Sequence, residues 1–385
     1  MAERSADIVI FGAGIAGLWA FNRFKRMGYD VLLLESRAIG CGQTIASQGI
    51  IHSGLKYAFA GKINKLAQSI SAMPDLWRSA LKGEGPVDLS AARVNAHSQL
   101  LLIPSGFMGG LIKLVTQQTL GQSVRELPKS EWPADITQSG FDGRVIFMNE
   151  PVLDIPSVLR ALAVPFQNAI KVIDTPDDPF GFLERHNITA RHIIFTGAAS
   201  NAAIAQRAVH NHGLDTQARP LLMGMIKNAP FELYAHMVGT SDKPVATITT
   251  HKKQDGALVW YIGGSVAERT KESDPLDVLK AMRDALEKYF PKIDFSTIEW
   301  STLPIDRIEG KSSKDGWMPD TPTIHQHDNI FYCWPTKLTF APLLSDRLIE
   351  KIQTPPSGIK TDWDFLPEAP FTQTPWDQAQ WKKEA

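Results

Sequence analysis

Gly12-Ala13-Gly14-Ile15-Ala16-Gly17 and the distant acid Glu35 are the residues whose types and spacing first suggest chemistry. The three glycines serve tight bending at Gly12, close approach of backbone to a pyrophosphate at Gly14, and close packing of a following helix at Gly17. An acid roughly twenty residues downstream is placed to accept hydrogen bonds from a ribose diol. The elements needed to position these groups are also legible. Asp7-Ile8-Val9-Ile10-Phe11 reads as a buried strand, the residues after Gly14 as a helix, and Tyr29-Asp30-Val31-Leu32-Leu33-Leu34-Glu35 as a second strand. The helix N-terminus offers its unpaired N–H groups and dipole to the phosphates without requiring a lysine. Together they predict a βαβ unit that holds a large adenine dinucleotide, with Ser36 and Arg37 beside Glu35 in the same site. An ordinary strand-turn-helix leaves the choice of Gly14 and Glu35 unexplained.

The chain has 385 residues, more than one hydrophobic core usually holds, so two domains or one domain split by insertions are expected. Its 40 Lys and Arg balance 41 Asp and Glu for a net charge of −1. No long run of either sign occurs, which argues against a nucleic-acid surface or a polybasic membrane patch. Cys41 and Cys333 are too few for a disulfide framework and lack metal-site spacing, which suits a reducing, cytoplasmic setting. The apolar start is broken by Gly12 to Gly17 and followed by Arg23, Lys25 and Arg26 without a cleavage pattern, so it is not read as a signal peptide. No run of about 20 apolar residues predicts an integral membrane segment. No metal is expected: His210 and His212 read as caps of a helix end, and His97, His192, His325 and His327 form no ligand pattern. The segment from Pro355 to Ala385, rich in Pro, Trp and Lys, is expected to lie extended on the surface.

Beyond Glu35 runs Gly40-Cys41-Gly42-Gln43-Thr44-Ile45-Ala46-Ser47-Gln48-Gly49-Ile50-Ile51-His52-Ser53-Gly54-Leu55-Lys56-Tyr57, small, polar and glycine-dense, as suits backbone passing along an extended ligand. This segment resembles the FAD-dependent oxidoreductases of the D-amino acid oxidase superfamily. It is nearest the branch of L-2-hydroxyglutarate oxidases and glycerol-3-phosphate dehydrogenases, where a Gly-x-Thr/Ser stretch leads to Gly-x-Ile-His-x-Gly-x-x-Tyr; Gly61-Lys62-Ile63-Asn64-Lys65-Leu66-Ala67 echoes the hydroxyglutarate oxidases. Further along, His192-Ile193-Ile194-Phe195-Thr196-Gly197-Ala198 is similar to the strand that returns beneath the flavin-binding helix. Pro151 to Ser157 with the helix through Leu162 is similar to the re-entry into the cofactor domain, and Ile170-Lys171-Val172-Ile173 to the strand near adenine.

The resemblance implies an α/β fold: a Rossmann-like FAD-binding domain of the glutathione reductase type, assembled from residues 1–84, 148–221 and 302–354. An antiparallel-sheet substrate domain would comprise 85–147 and 222–301, with 355–385 as the tail. Leu258 to Ser265 suits a strand of that sheet, and Asp274 to Phe290 reads as a helix ending before Pro291. Besides the residues of the glycine turn and Glu35 to Arg37, the resemblance assigns Gln43, Thr44, Ser47, Gln48, Gly49, Ile50, Val172, Thr196, Gly197, Pro335, Lys337, Leu338 and Thr339 to the cofactor. FAD is expected to be noncovalent. Where relatives tether it, this chain has Ala46-Ser47 and Ile308-Glu309, neither offering a nucleophile, and Cys41 reads as packing. The chain departs from the family in its last loop, Trp334 to Pro342, which contains no glycine. Pro335 removes an N–H there, while the N–H groups of Lys337 to Thr339 could reach the flavin N1–C2=O edge and the Lys337 ammonium could offset negative charge on it.

Flavin oxidation of a C–H next to a hydroxyl or amine needs hydride delivery to N5, a base for the heteroatom proton, and groups that fix the substrate. His52 is the candidate base, with hydrogen bonding to flavin or backbone as its other reading. Lys56 and Tyr57 are candidates to polarise substrate or oxygen, against solvated or structural roles. Arg307 is a candidate bidentate clamp for a carboxylate, against an ion pair with Asp306 or Glu309. The expected activity is oxidation of a small hydroxy acid or amine, with oxygen or another acceptor taking the electrons. A rival is a monooxygenase or maturation flavoprotein that hydroxylates an aromatic side chain, a tryptophan, of a partner protein during quinone-cofactor formation, with the tail residues Trp363, Phe365, Phe371, Trp376 and Trp381 as a docking surface, against the leading reading that they pack onto their own domain. A third class is a non-catalytic or electron-transfer flavin subunit.

Overall fold

The computed structural model describes residues 3–53, 70–106, 124–208, 214, 216–239, 244–268, 273–310, 321–334 and 337–383. Lys56, Tyr57, His210, His212 and Pro335 lie outside the described residues, as do the segments 61–67 and 315–319.

The first strand, Arg4–Phe11, is buried along its last six residues, and it ends in a turn where Gly12 adopts a φ of +103°. Helix Ile15–Arg26 follows directly on Gly14, with no side-chain cap at its start and Arg23, Lys25 and Arg26 in its last turn, where cations complement the dipole. A Cβ at Gly17 would overlap the Gly12 carbonyl oxygen, so only glycine lets this helix pack down on the turn. Strand Val31–Glu35, wholly buried, pairs in parallel with Arg4–Phe11. The sheet runs in the order 323–327, 330–334, 188–195, 4–11, 31–35, 170–172. It is parallel except for the hairpin formed by Thr323–His327 and Ile330–Trp334. Its strands come from three separated stretches of chain. Helices Ile155–Ala163 and Ala341–Lys351 pack on Ile15–Arg26; the former is started by the Asp154 carboxylate, which accepts from the Ser157 N–H.

A second sheet of eight strands stands over this layer, in the order 300–310, 216–227, 258–263, 244–252, 235–238, 99–104, 143–148, 124–127. It is antiparallel except for one junction, where Ala235–Val238 lies parallel to Gln99–Pro104. That junction joins two stretches inserted at different points of the chain, so no hairpin dictates their direction. Strands Thr216–Lys227 and Trp300–Gly310 pair along their full lengths. The sheet therefore takes in residues 216–221 and 302–310, which the sequence reading gave to the cofactor domain. One continuous ladder of hydrogen bonds outweighs the family pattern in setting that boundary. Helix Pro275–Tyr289, capped by the Asp274 carboxylate on the Leu276 N–H, buries Val278, Leu279, Met282 and Leu286 under the sheet.

Each sheet has its own core, and the tail joins both. Trp363, Leu366 and Ala369 are buried in the first core and Trp376 in the second. Along the way the tail exchanges backbone hydrogen bonds with Ile39, Ile170, Val172 and Trp300. The expected extended conformation is there apart from a short helical turn, Pro375–Gln378. The expected surface position holds for much of its length, residues 353–360 being exposed, while apolar burial turns Trp363 and Trp376 inward.

Candidate functional site

Between the two sheets lies a cavity of about 1160 Å³, large for a ligand site. Its cofactor wall is made mostly of backbone. Gly12, Gly14, Ile15 and Ala16 line it, whereas Ala13 and Gly17 sit beneath. Ala13 N–H donates to the Glu35 carboxylate at 2.8 Å, and Glu35 also accepts from the Arg37 N–H at 3.0 Å. Glu35 thus reaches the cavity with its carboxylate already oriented, flanked there by Ser36 and Arg37. Thr196 donates its hydroxyl to the Gly12 carbonyl at 2.8 Å, and Gly197 N–H donates to Asn201 at 2.9 Å, which seats both residues on the wall. On the strand expected near adenine, Ile173 lines the cavity; Val172 is taken up by pairing with Glu35 and by an N–H bond to Pro367.

The stretch from Cys41 to His52 lines the cavity almost continuously. Thr44 accepts from Ile15 N–H at 3.0 Å and so tethers this stretch to the helix N-terminus. Gln43 accepts from Ile308 N–H at 3.2 Å, Gln48 donates to the Thr247 and Tyr261 carbonyls at 2.8 and 3.1 Å, and the Tyr261 hydroxyl donates to Ala46 at 2.8 Å. These bonds hold the glycine-dense segment between the two sheets. Gly49, at φ +72°, has no room for a Cβ against the Leu153 carbonyl. Burial and the neighbouring Glu35 charge push the Cys41 thiol up, so it stays protonated and is no nucleophile. The Ser47 hydroxyl is shielded on this wall without a hydrogen-bond partner among the described residues. A buried polar orphan, a helix N-terminus and a wall of close-packed glycines fit a ligand with phosphates and a polar, extended body. FAD meets that description.

The opposite wall is made of side chains. His52 comes in on the glycine-dense segment, its N–H bonded to the Thr339 hydroxyl at 3.3 Å. Its Nδ1 lies 3.4 Å from Glu150 Oε2, and its ring stacks on that of His236 at 5.8 Å. Glu150 is buried. Burial opposes its charge, but the His52 contact, hydrogen bonds from Ser53 at 2.7 and 2.6 Å and the nearby His236 outweigh it and lower the carboxyl to about 2. His236 is itself buried on strand Ala235–Val238, with Nδ1 2.8 Å from the Thr247 hydroxyl.

Arg307 lines the cavity and forms an ion pair with fully buried Glu309. Directly across the ladder from it stands Arg219, which approaches the same Glu309 at 3.5 Å. Lys337, Leu338 and Thr339 reach the cavity just before helix Ala341–Lys351, and Trp77 donates to the Thr339 carbonyl at 3.0 Å. The structure thus gathers His52, Arg307 and Lys337 on one cavity. It adds Glu150, His236 and Arg219, which sequence reasoning missed. A histidine within the apolar run Ala235-His236-Met237-Val238 was the available signal for His236; Glu150 and Arg219 gave none. Trp363 and Trp376, counted among the aromatic residues of a docking tail, are buried in this chain's own cores.

Comparison with known proteins agrees with this geometry. The family described as FAD dependent oxidoreductase (DAO) matches residues 7–348. The probable FAD-dependent oxidoreductase PA4991 of Pseudomonas aeruginosa is 33% identical over 392 residues, covering 97% of this chain and 98% of that protein. Its crystal structure superposes with a TM-score of 0.81 over 98% of this chain and 99% of that one, at 30% identity. Glycine oxidase from Geobacillus kaustophilus shares the fold, with a TM-score of 0.63, 16% identity and coverage of 91% and 96%. So does FAD-bound L-α-glycerophosphate oxidase from Mycoplasma pneumoniae, with a TM-score of 0.61, 11% identity and coverage of 99% and 98%. With the family match spanning most of the chain and a near full-length relative beside it, this protein belongs to the FAD-dependent oxidoreductases of the D-amino acid oxidase family.

Proposed function

We propose that this flavoenzyme oxidises a C–H bond next to a hydroxyl or amine of a small acid, with His52 as the base. The observation that carries the reading is an imidazole on the cavity wall backed by a buried, ionised carboxylate, Glu150. FAD, held noncovalently by the Gly12–Ala16 turn, Glu35, Thr44 to Ile50 and Lys337 to Thr339, supplies the hydride acceptor when bound. His52 takes the proton from the substrate hydroxyl or amine, and the Glu150 charge stabilises the imidazolium that results. Ser53 holds Glu150 by two hydrogen bonds, so the carboxylate orients the ring without itself reacting. Arg307 and Arg219 meet at one carboxylate, Glu309, and the Arg307 guanidinium on the cavity wall is the group that would pair with a substrate carboxylate.

The test is an absorption spectrum before and after acid precipitation, followed by anaerobic titration with hydroxy acids and amines. Release of FAD and bleaching of the flavin band by one substrate class are expected. A band that persists with every hydroxy acid and amine tried would overturn the reading. Oxygen consumption with the bleaching substrate then separates oxidase from dehydrogenase.

A further inference from the structure

We infer that His52, Glu150 and His236 form a three-ligand site for a divalent transition ion, Zn²⁺ by preference, on the sheet side of the cavity. One ligand atom from each residue lies within 4.8 Å of the other two. Ligands at about 2.0–2.2 Å from a tetrahedral ion stand roughly 3.3–3.6 Å apart. The 3.4 Å between His52 Nδ1 and Glu150 Oε2 already matches that edge, while being long for a charge-assisted hydrogen bond. Closing the third ligand onto the same ion requires an adjustment of about an ångström. Two imidazoles and one carboxylate are a ligand set that zinc accepts with a fourth position left for water, whereas Mg²⁺ prefers oxygen ligands alone.

The surroundings support ligation. Glu150 is buried beside both rings. Its second oxygen is held by the Ser53 N–H and hydroxyl, and His236 Nδ1 is bonded to the Thr247 hydroxyl at 2.8 Å. Such outer partners fix ring and carboxylate orientation around a metal. His52 and His236 both line the cavity, which gives the ion an entry path and room for its fourth ligand. No ligand spacing announced this site, because the three residues sit on separate segments, and the single pair His52–Glu150 is already 98 residues apart.

A consequence for activity follows, and it rests on His52 being the base. An imidazole that ligates an ion through one nitrogen keeps its proton on the other, so it no longer accepts the substrate proton. Zinc is therefore an inhibitor of this enzyme.

The test uses the FAD-loaded protein after dialysis against a chelator, titrated with zinc chloride by calorimetry and checked by metal analysis. One Zn²⁺ per chain is expected, undisplaced by excess Mg²⁺. The affinity is expected to fall about 100-fold or more in His52→Ala and in His236→Ala, and about 10-fold in Thr247→Val. Retained flavin and an unchanged circular dichroism spectrum establish that each variant is folded. If His236→Ala does not fold, zinc-edge X-ray absorption of the wild-type protein replaces it, with imidazole scattering expected. Absence of stoichiometric binding, binding undiminished in both histidine variants, or a zinc shell without imidazole overturns the site. Zinc bound at the trio with unaltered flavin reduction overturns His52 as the base and leaves the ion site standing.

Discussion

The two walls of the cavity are built by different means. On the cofactor side, Gly12 to Ala16 and the glycine-dense stretch after Glu35 present backbone, and both belong to the first 52 residues of the chain. On the sheet side, Arg219, His236 and Arg307 present side chains from three strands, and His52 meets them from the other wall. A wall of backbone depends on glycines having no Cβ and tolerates change in side chains; a wall of side chains depends on strand register, because a slip of one residue turns each group to the other face.

The strongest way to break this contrast is Gly17→Ala. Its new methyl would meet the Gly12 carbonyl, and the backbone turn has no side chain that can yield. Loss of at least about 3 kcal/mol and of bound FAD is expected, measured as flavin per chain and as the denaturation midpoint.

On the sheet side the largest stability effect is one of pH. His251 is buried, stacked on the tail residue Trp376 at 4.0 Å, and burial pushes it down to about 3. The folded protein resists protonation there while the unfolded chain takes a proton near pH 6.5. Stability from this group is therefore complete above pH 6.5 and declines as pH falls, by about 3 kcal/mol at pH 4. Denaturation curves across that range should lose most of this acid slope in His251→Phe, which keeps a ring against Trp376. An identical slope in the variant would place the acid sensitivity elsewhere.

Next in size is His52→Ala. Flavin reduction should slow by about 10²-fold, equivalent to roughly 2.7 kcal/mol, while flavin content stays at the wild-type level, since the glycine turn and the backbone of Thr44 to Ile50 are what would hold the cofactor. Rapid mixing under anaerobic conditions measures it, and wild-type kinetics would remove His52 from the chemistry. The smallest effect expected is that of Ser47→Ala. It removes one hydroxyl from a wall made mostly of backbone, and FAD affinity should weaken by about 1 kcal/mol, or roughly fivefold, read by flavin fluorescence on dilution.

The unequal legibility of the two walls has the same cause. Strands ending at Phe11 and Phe195, helices starting after Gly14 and at Pro275, and the glycine-dense segment could all be read in advance, because periodicity, capping and glycine placement act over a few residues. The reading stopped short at the parallel junction between Ala235–Val238 and Gln99–Pro104, at the ladder that carries Thr216–Lys227 and Trp300–Gly310 into the second sheet, and at the inward course of the tail. Each depends on pairing or burial between residues far apart in the chain.

From its sequence alone, this protein was committed to a βαβ turn shaped for a dinucleotide and to a histidine on the segment beside it, since local backbone preferences suffice to specify both. Only the tertiary structure decided that Glu150 and His236 would stand against His52, that Arg219 would face Arg307 over one carboxylate, and that the tail would bind the two cores together. Those outcomes follow from strand register and from which apolar faces find each other, and neither is encoded within a window of neighbouring residues.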